Sequence, residues 1–145
     1  MGAFVDALGK SVLRIHNMAV SFTDSTGRAA QIAAASDSAA AQFQLLTQSQ
    51  SDIVLSNDKA VIASGTIQGV NTFSSDEFPQ IYDTMDMLPQ MWSNGYLVAT
   101  ENIYLGASAS TGWVAAEDLT CCVVLECTVE TMTQAAAMAL ALSQQ

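Results

Sequence analysis

Between residues 119 and 130 the chain alternates without interruption. Leu119, Cys121, Val123, Leu125, Cys127 and Val129 hold the odd positions, and Thr120, Cys122, Val124, Glu126, Thr128 and Glu130 the even ones. Successive side chains of an extended backbone point to opposite faces, so a period of two with one wholly apolar face dictates a β-strand lying on a core. The second face is only half polar, because Cys122 and Val124 occupy its centre. Cover for those two must come from another layer of the chain or from a neighbouring copy.

Other stretches repeat the period. Residues 12–23 place His16, Met18, Val20 and Phe22 on one side; residues 39–47 place Ala39, Ala41, Phe43, Leu45 and Thr47 opposite Gln42 and Gln44. Residues 59–67 follow the turn signal Asn57-Asp58, and residues 96–105 follow Ser93-Asn94-Gly95, with Glu101 sharing the inward face of Leu97, Ala99, Ile103 and Leu105. A short helical turn over 51–55 is expected to join two of these strands. For 26–35 the alanine content fits a helix and the neighbours a strand; strand is preferred, with a turn at 36–38. Pro79 and Pro89 fall in 71–92, which reads as a long loop with a helical turn at 81–85. Residues 106–118, rich in Gly, Ala, Ser and Thr, read as an exposed connection that carries Trp113. After the last strand, Thr131 and Gln134 have capping-box spacing and an Ala/Leu run follows, which predicts a helix over 132–142. That helix has almost no polar face, so Met132, Met138, Leu140 and Leu142 are expected to be covered, at a chain terminus by another subunit or by the sheet.

These elements describe a mainly β protein: an antiparallel β-sandwich or barrel, with a jelly roll among the arrangements allowed, and a short C-terminal helix. At 145 residues the chain forms one domain. Doubly wound α/β is disfavoured, since no helix regularly follows a strand.

Charge narrows the function. Only 12% of residues are charged, and the net charge is -10. All four cations (Lys10, Arg14, Arg28 and Lys59) precede residue 60, and residues 60–145 hold nine acids with no Lys or Arg. Such a surface repels phosphate backbones and anionic membranes, so a direct nucleic-acid partner is excluded by this reading. No run reaches the ~18 apolar residues of a membrane span, and the Asp6 and Lys10 region lacks the apolar stretch of a secretion signal. Cys121, Cys122 and Cys127 share one strand, where Cys121 and Cys127 stand ~20 Å apart, too far for a bridge. Free thiols suit folding in a reducing host cytoplasm.

Motifs for catalysis are missing. His16 is the sole histidine and no G-x-S-x-G elbow accompanies it; three clustered Cys with one distant His match no zinc spacing; no G-x-x-x-x-G-K loop occurs. Neither catalytic residues nor a metal or cofactor is expected. Asp76, Glu77, Asp83 and Asp86 form an acidic group in the proline-bearing loop, where a solvated loop is preferred over a Ca²⁺ or Mg²⁺ site. Brought close to acids of facing subunits they are expected to make assembly strengthen with salt and toward about pH 5, the alternative being that they face open solvent and serve only solubility. Met85, Met87 and Met91 beside Leu88 and Trp92 supply adaptable apolar surface.

The segment from Gly95 to Gly106 (GYLVATENIYLG), followed by residues 119–130 and the apolar terminal helix, resembles the small β-sandwich or jelly-roll coat proteins of virions. That resemblance implies a capsid-lattice protein located in the virion, whose partners are copies of itself and other virion proteins, without enzymatic activity. This chain departs from genome-contacting coat proteins in lacking a basic arm, which points to an outer or lattice layer. A tail-tube or filament subunit shares the same assembly logic. A small-ligand-binding β-barrel is the remaining alternative, with inward-facing Glu101 as its polar anchor.

Overall fold

The computed structural model describes residues 11–28, 37–71, 80–110, 113 and 119–145, with backbone alone for 80–83. Among the described residues seven strands form two antiparallel sheets: β1 (Ser11–Thr23), β2 (Ser38–Leu46), β3 (Val61–Val70), β4 (Gln80–Met87), β5 (Tyr96–Val98), β6 (Tyr104–Ala109) and β7 (Thr120–Thr131), followed by helix α1 (Gln134–Ser143). One sheet has the order β5-β1-β7, the other β4-β3-β2-β6. Of the sandwich and barrel expected, the sandwich forms.

The main core lies between the sheets. Leu13, Ile15 and Met18 of β1 and Val98 of β5 meet Phe43 and Leu45 of β2, Ile62 and Ala63 of β3, and the adjoining Leu88 and Ile103. Each large side chain taken fully from water contributes about 1.5–3 kcal/mol. Cys121, Val123, Leu125 and Cys127 of β7 pack half-buried on this core, as their alternation requires. Val129, on the same face by parity, lies beyond it and is exposed.

A bulge sets the parity of β1. Ile15 pairs with Cys127 and Asn17 with Glu126, so His16 is an extra residue in the ladder. Leu13 and Ile15 point inward before it, and Met18 after it. His16 is therefore not on the face of Met18, Val20 and Phe22; it reaches the outer-face hydroxyl of Thr128, with Nε2 to Oγ1 at 2.8 Å.

Four further expectations are corrected. Residues 81–85 are strand, not helical turn: β3 offers β4 a free edge, and the two prolines flank the strand in sequence rather than interrupt it. Residues 51–55 form bends rather than a helix, because Gln44 holds Val54 through both backbone groups. The stretch 96–105 is not one strand. The chain leaves β5, turns at a corner closed by Thr100 Oγ1 donating to the Asn102 carbonyl at 3.0 Å, and enters the opposite sheet as β6. Glu101 and Asn102 are exposed at that corner, so Glu101 does not face inward.

Trp113 is the fourth. Rather than riding on an exposed connection it is buried, packed on Ala39 and Ala41, with its indole Nε1 donating to the Ala40 carbonyl at 3.0 Å. The two alanines leave the depth a flat indole needs. Of residues 26–35, Thr26–Arg28 belong to a turn in which the Asp24 carboxylate accepts from Thr26 Oγ1 and from the Thr26 and Arg28 amides. Those bonds, led by that from Thr26 Oγ1, hold its pKa below the usual carboxylate range. Residues 29–36 lie outside the described residues.

Helix α1 begins at Gln134, two residues later than expected, because β7 continues through Thr131. Its N-cap is Thr133, whose Oγ1 accepts from the Ala136 amide, not Thr131. The helix lies on the outer face of the three-stranded sheet at its β5 side, where Val12, Ala99 and Ala137 are buried with Leu97, Met132, Leu140 and Ala141 around them. No described helix is long and apolar enough to cross a membrane.

Candidate self-association surface

Among the described residues two glutamine side chains close backbone edges that strands leave open, and a third holds a loop in the same way. Gln144 accepts from the Ala99 amide at 3.0 Å and donates to the Leu97 carbonyl at 2.6 Å, completing the outer edge of β5. Gln90 does the same for Met18, accepting from its amide at 3.0 Å and donating to its carbonyl at 2.9 Å. Gln44 takes both groups of Val54. A carboxamide carries the donor and acceptor of a peptide unit, so each stands in for one residue of a missing strand.

No such device closes β7. Among the described residues this strand has β1 on one side and no strand on the other, and over Cys121–Thr131 no backbone hydrogen bond from another described residue joins it outside its ladder with β1. Its sequence, TCCVVLECTVET, contains no Pro or Lys, residues by which edge strands are usually blunted, and its charges are the two acids Glu126 and Glu130. On its outer face Cys122 is exposed and Val124 is 70% exposed, beyond the reach of α1. The other layer anticipated over these two residues is absent from the described part of the chain.

On the same side of the sandwich runs β6, the edge of the second sheet, with Tyr104 and Leu105 exposed. Between the two edges opens an apolar groove of about 460 Å³ lined by Leu45, Ile103, Leu105, Val123, Val124 and Leu125. No ionisable side chain lines it. A larger cleft of about 610 Å³ lies on the β2-β3-β4 sheet, where Asp52, Ser56, Ser64 and Asp86 face Gln42 and the loop-holding Gln44.

The residues singled out by sequence divide accordingly. Cys122, Val124, Met138 and Leu142 are exposed, whereas Met132 and Leu140 pack on the chain's own sheet, which narrows the expected surface to four. Of the acidic group, Asp86 is exposed on β4, Asp83 is on the same strand, and Asp76 and Glu77 lie outside the described residues. Tyr104 and Leu105 were missed; the signal was their alternation, hidden by reading 96–105 as a single strand.

Electrostatics at the far end of β7 is local. Arg14 of β1 forms a two-pronged ion pair with Glu130, Nη2 to Oε2 at 2.9 Å and Nε to Oε1, and Nη1 donates to the Asn94 carbonyl. The guanidinium bonds hold the Glu130 carboxyl below its ordinary pKa, and the same pair raises that of Arg14. Asn17 donates to the Glu126 carboxylate. Burial pushes the Cys121 thiol up to about 11, with neighbouring Cys122 adding to it, and raises Cys127 as well; all three thiols are free. Among the described residues no three His, Cys, Asp or Glu side chains gather in a way that could hold a metal ion. Compared with known protein families, with curated proteins and with solved structures, the chain matches none.

Proposed function

We propose that the chain is a self-associating structural subunit, of the coat or capsid-lattice kind that its sequence resembles, working in a virion after folding in a reducing cytoplasm. The observation that carries this reading is the outer edge of β7, uncovered by any other described strand, free of Pro and Lys and beside an apolar groove, in a chain that closes other edges with glutamine carboxamides. An exposed strand edge presents a row of unpaired N–H and C=O groups and is a template for another chain. The low charge favours such contact, since few ionic groups need desolvation. The ligand-barrel alternative has less support: its polar anchor, Glu101, faces solvent.

Size-exclusion chromatography with light scattering, together with negative-stain microscopy, tests the proposal. The expected result is a discrete oligomer or lattice at micromolar concentration and neutral pH. A folded 15.3 kDa monomer under those conditions overturns it.

A further inference from the structure

Resting on that reading of a self-associating subunit, we infer that β7 pairs antiparallel with β7 of a second copy about a two-fold axis through Val124. Alternate residues of a strand direct their N–H and C=O groups to opposite edges, so two residues facing each other across an antiparallel pair must have the same parity. When a strand pairs with its own copy, the axis therefore passes through a residue, never between two.

Acids choose among the residues. An axis through Glu126 sets that carboxylate against its copy, and one through Thr128 sets Glu126 against Glu130 of the copy. Axes through Leu125 or Cys127 leave Glu126 diagonal to its own copy, within reach of a long side chain. An axis through Val123 avoids acids and shortens the overlap. Val124 gives the longest pairing in which Glu126 is neither opposite nor diagonal to an acid. Glu126 then faces Cys122, Val123 faces Leu125, Cys121 faces Cys127, and Val124 meets itself. Glu130 falls beyond the paired segment, held by Arg14.

The pairing answers both open features of the surface. It occupies the edge of β7 that no other described strand covers and lays Val124, 70% exposed in the single chain, against its counterpart. The two β5-β1-β7 sheets become one continuous sheet, and the second copy's β7 runs along the mouth of the groove between β6 and β7. A second copy is the occupant favoured by charge: the apolar centre of the strand, 123–125, meets itself, and its acids are displaced from one another.

The test uses the full chain in two variants, Cys122→Ser/Val124→Cys and Cys122→Ser/Thr128→Cys, sized by light scattering when reduced and then oxidised with copper-phenanthroline, with the bonded peptides identified by mass spectrometry. The axis sets Val124→Cys against its copy, whereas Thr128→Cys would stand ~27 Å along the strand from its own. An oligomer with a covalent dimer through position 124 and none through 128 is the expected result. An oligomer bonded through 128, or through neither, overturns the axis and leaves self-association standing. A reduced monomer in both variants and in the parent overturns both. Val124→Glu, at an exposed position, should keep the fold by circular dichroism and weaken association roughly tenfold or more, because the new carboxylates face each other; unchanged association by a folded Val124→Glu variant overturns the pairing.

Discussion

Gln144 acts as a strand neighbour of Leu97. Its Nε2 donates to the Leu97 carbonyl at 2.6 Å while its Oε1 takes the Ala99 amide at 3.0 Å, and its own carbonyl accepts from Thr47 Oγ1 of the opposite sheet at 2.6 Å. The residue after α1 thus fastens the helix to β5 and to the chain leaving β2. Docking of the C-terminal helix begins within its own chain.

Replacing Gln144 by Ala should leave the Leu97 carbonyl and the Ala99 amide without partners in a buried place. An unsatisfied buried polar group costs about 1–3 kcal/mol. Urea unfolding should show a midpoint lowered accordingly, and Gln144→Glu should be at least as damaging, since a carboxylate cannot donate to Leu97. A midpoint equal to the parent's would show that water replaces the amide.

Gly95 has φ +64°, and a Cβ there would lie 2.3 Å from the Ile15 carbonyl oxygen. The turn needs the left-handed region, and the approach to β1 leaves no room for a side chain. Gly95→Ala should therefore destabilise by about 2 kcal/mol or more, since strain of this kind costs ~1–3 kcal/mol before the clash is counted. Thermal melting checks this, with Gly27→Ala, at a glycine that also has positive φ but lies in open space, as the milder control.

Trp113 can be dissected by two substitutions. Trp113→Ala should cost about 3–5 kcal/mol, the usual loss for a buried aromatic. Trp113→Phe keeps most of the packing on Ala39 and Ala41 and removes the bond to the Ala40 carbonyl, for about 1–2 kcal/mol. Equal losses in the two variants would assign the whole effect to the indole nitrogen.

The thiols should differ in reactivity. Cys122 is exposed and should be alkylated first, while Cys121, with its pKa at about 11, should react slowly at pH 8 and faster as pH rises toward 11. Its folded-state value lies above that of a free thiol, so the folded chain holds the proton that an unfolded chain releases. Stability from this group is intact below pH ~8.5 and falls as pH climbs toward 11. Mass spectrometry after timed iodoacetamide treatment provides the order.

Glu130 runs in the opposite direction. Its carboxyl pKa is lowered by the hydrogen bonds from Arg14, so its stabilising contribution is present above the unfolded carboxylate value and is lost as pH falls through the folded one. Glu130→Gln should flatten the acid limb of the stability curve by lowering its level above about pH 6, where the parent has the ion pair, while stability at the lowest pH stays close to the parent's. An acid limb identical to the parent's would show that other carboxylates dominate it.

Most of the sheet content was readable from a period of two, which needs only the geometry of an extended backbone. Residues 119–130, 39–47 and 59–67 each became a strand for that reason, and the apolar centre of the outer face of β7 was visible in Cys122 and Val124. What alternation cannot express is which sheet a strand joins or where its parity slips. The His16 bulge reverses the facing of β1 by inserting one residue into a ladder whose other side is remote in sequence. The break of 96–105 into β5 and β6 follows from a corner between layers, and β4 forms in a proline-flanked segment because the edge of β3 receives it. Trp113 is buried because Ala39 and Ala41, more than seventy positions earlier, leave space for it. Periodicity and charge are local and belong to the sequence; pairing, closure of edges and the side of the sandwich left open depend on contacts between distant segments, and only the tertiary structure decided them.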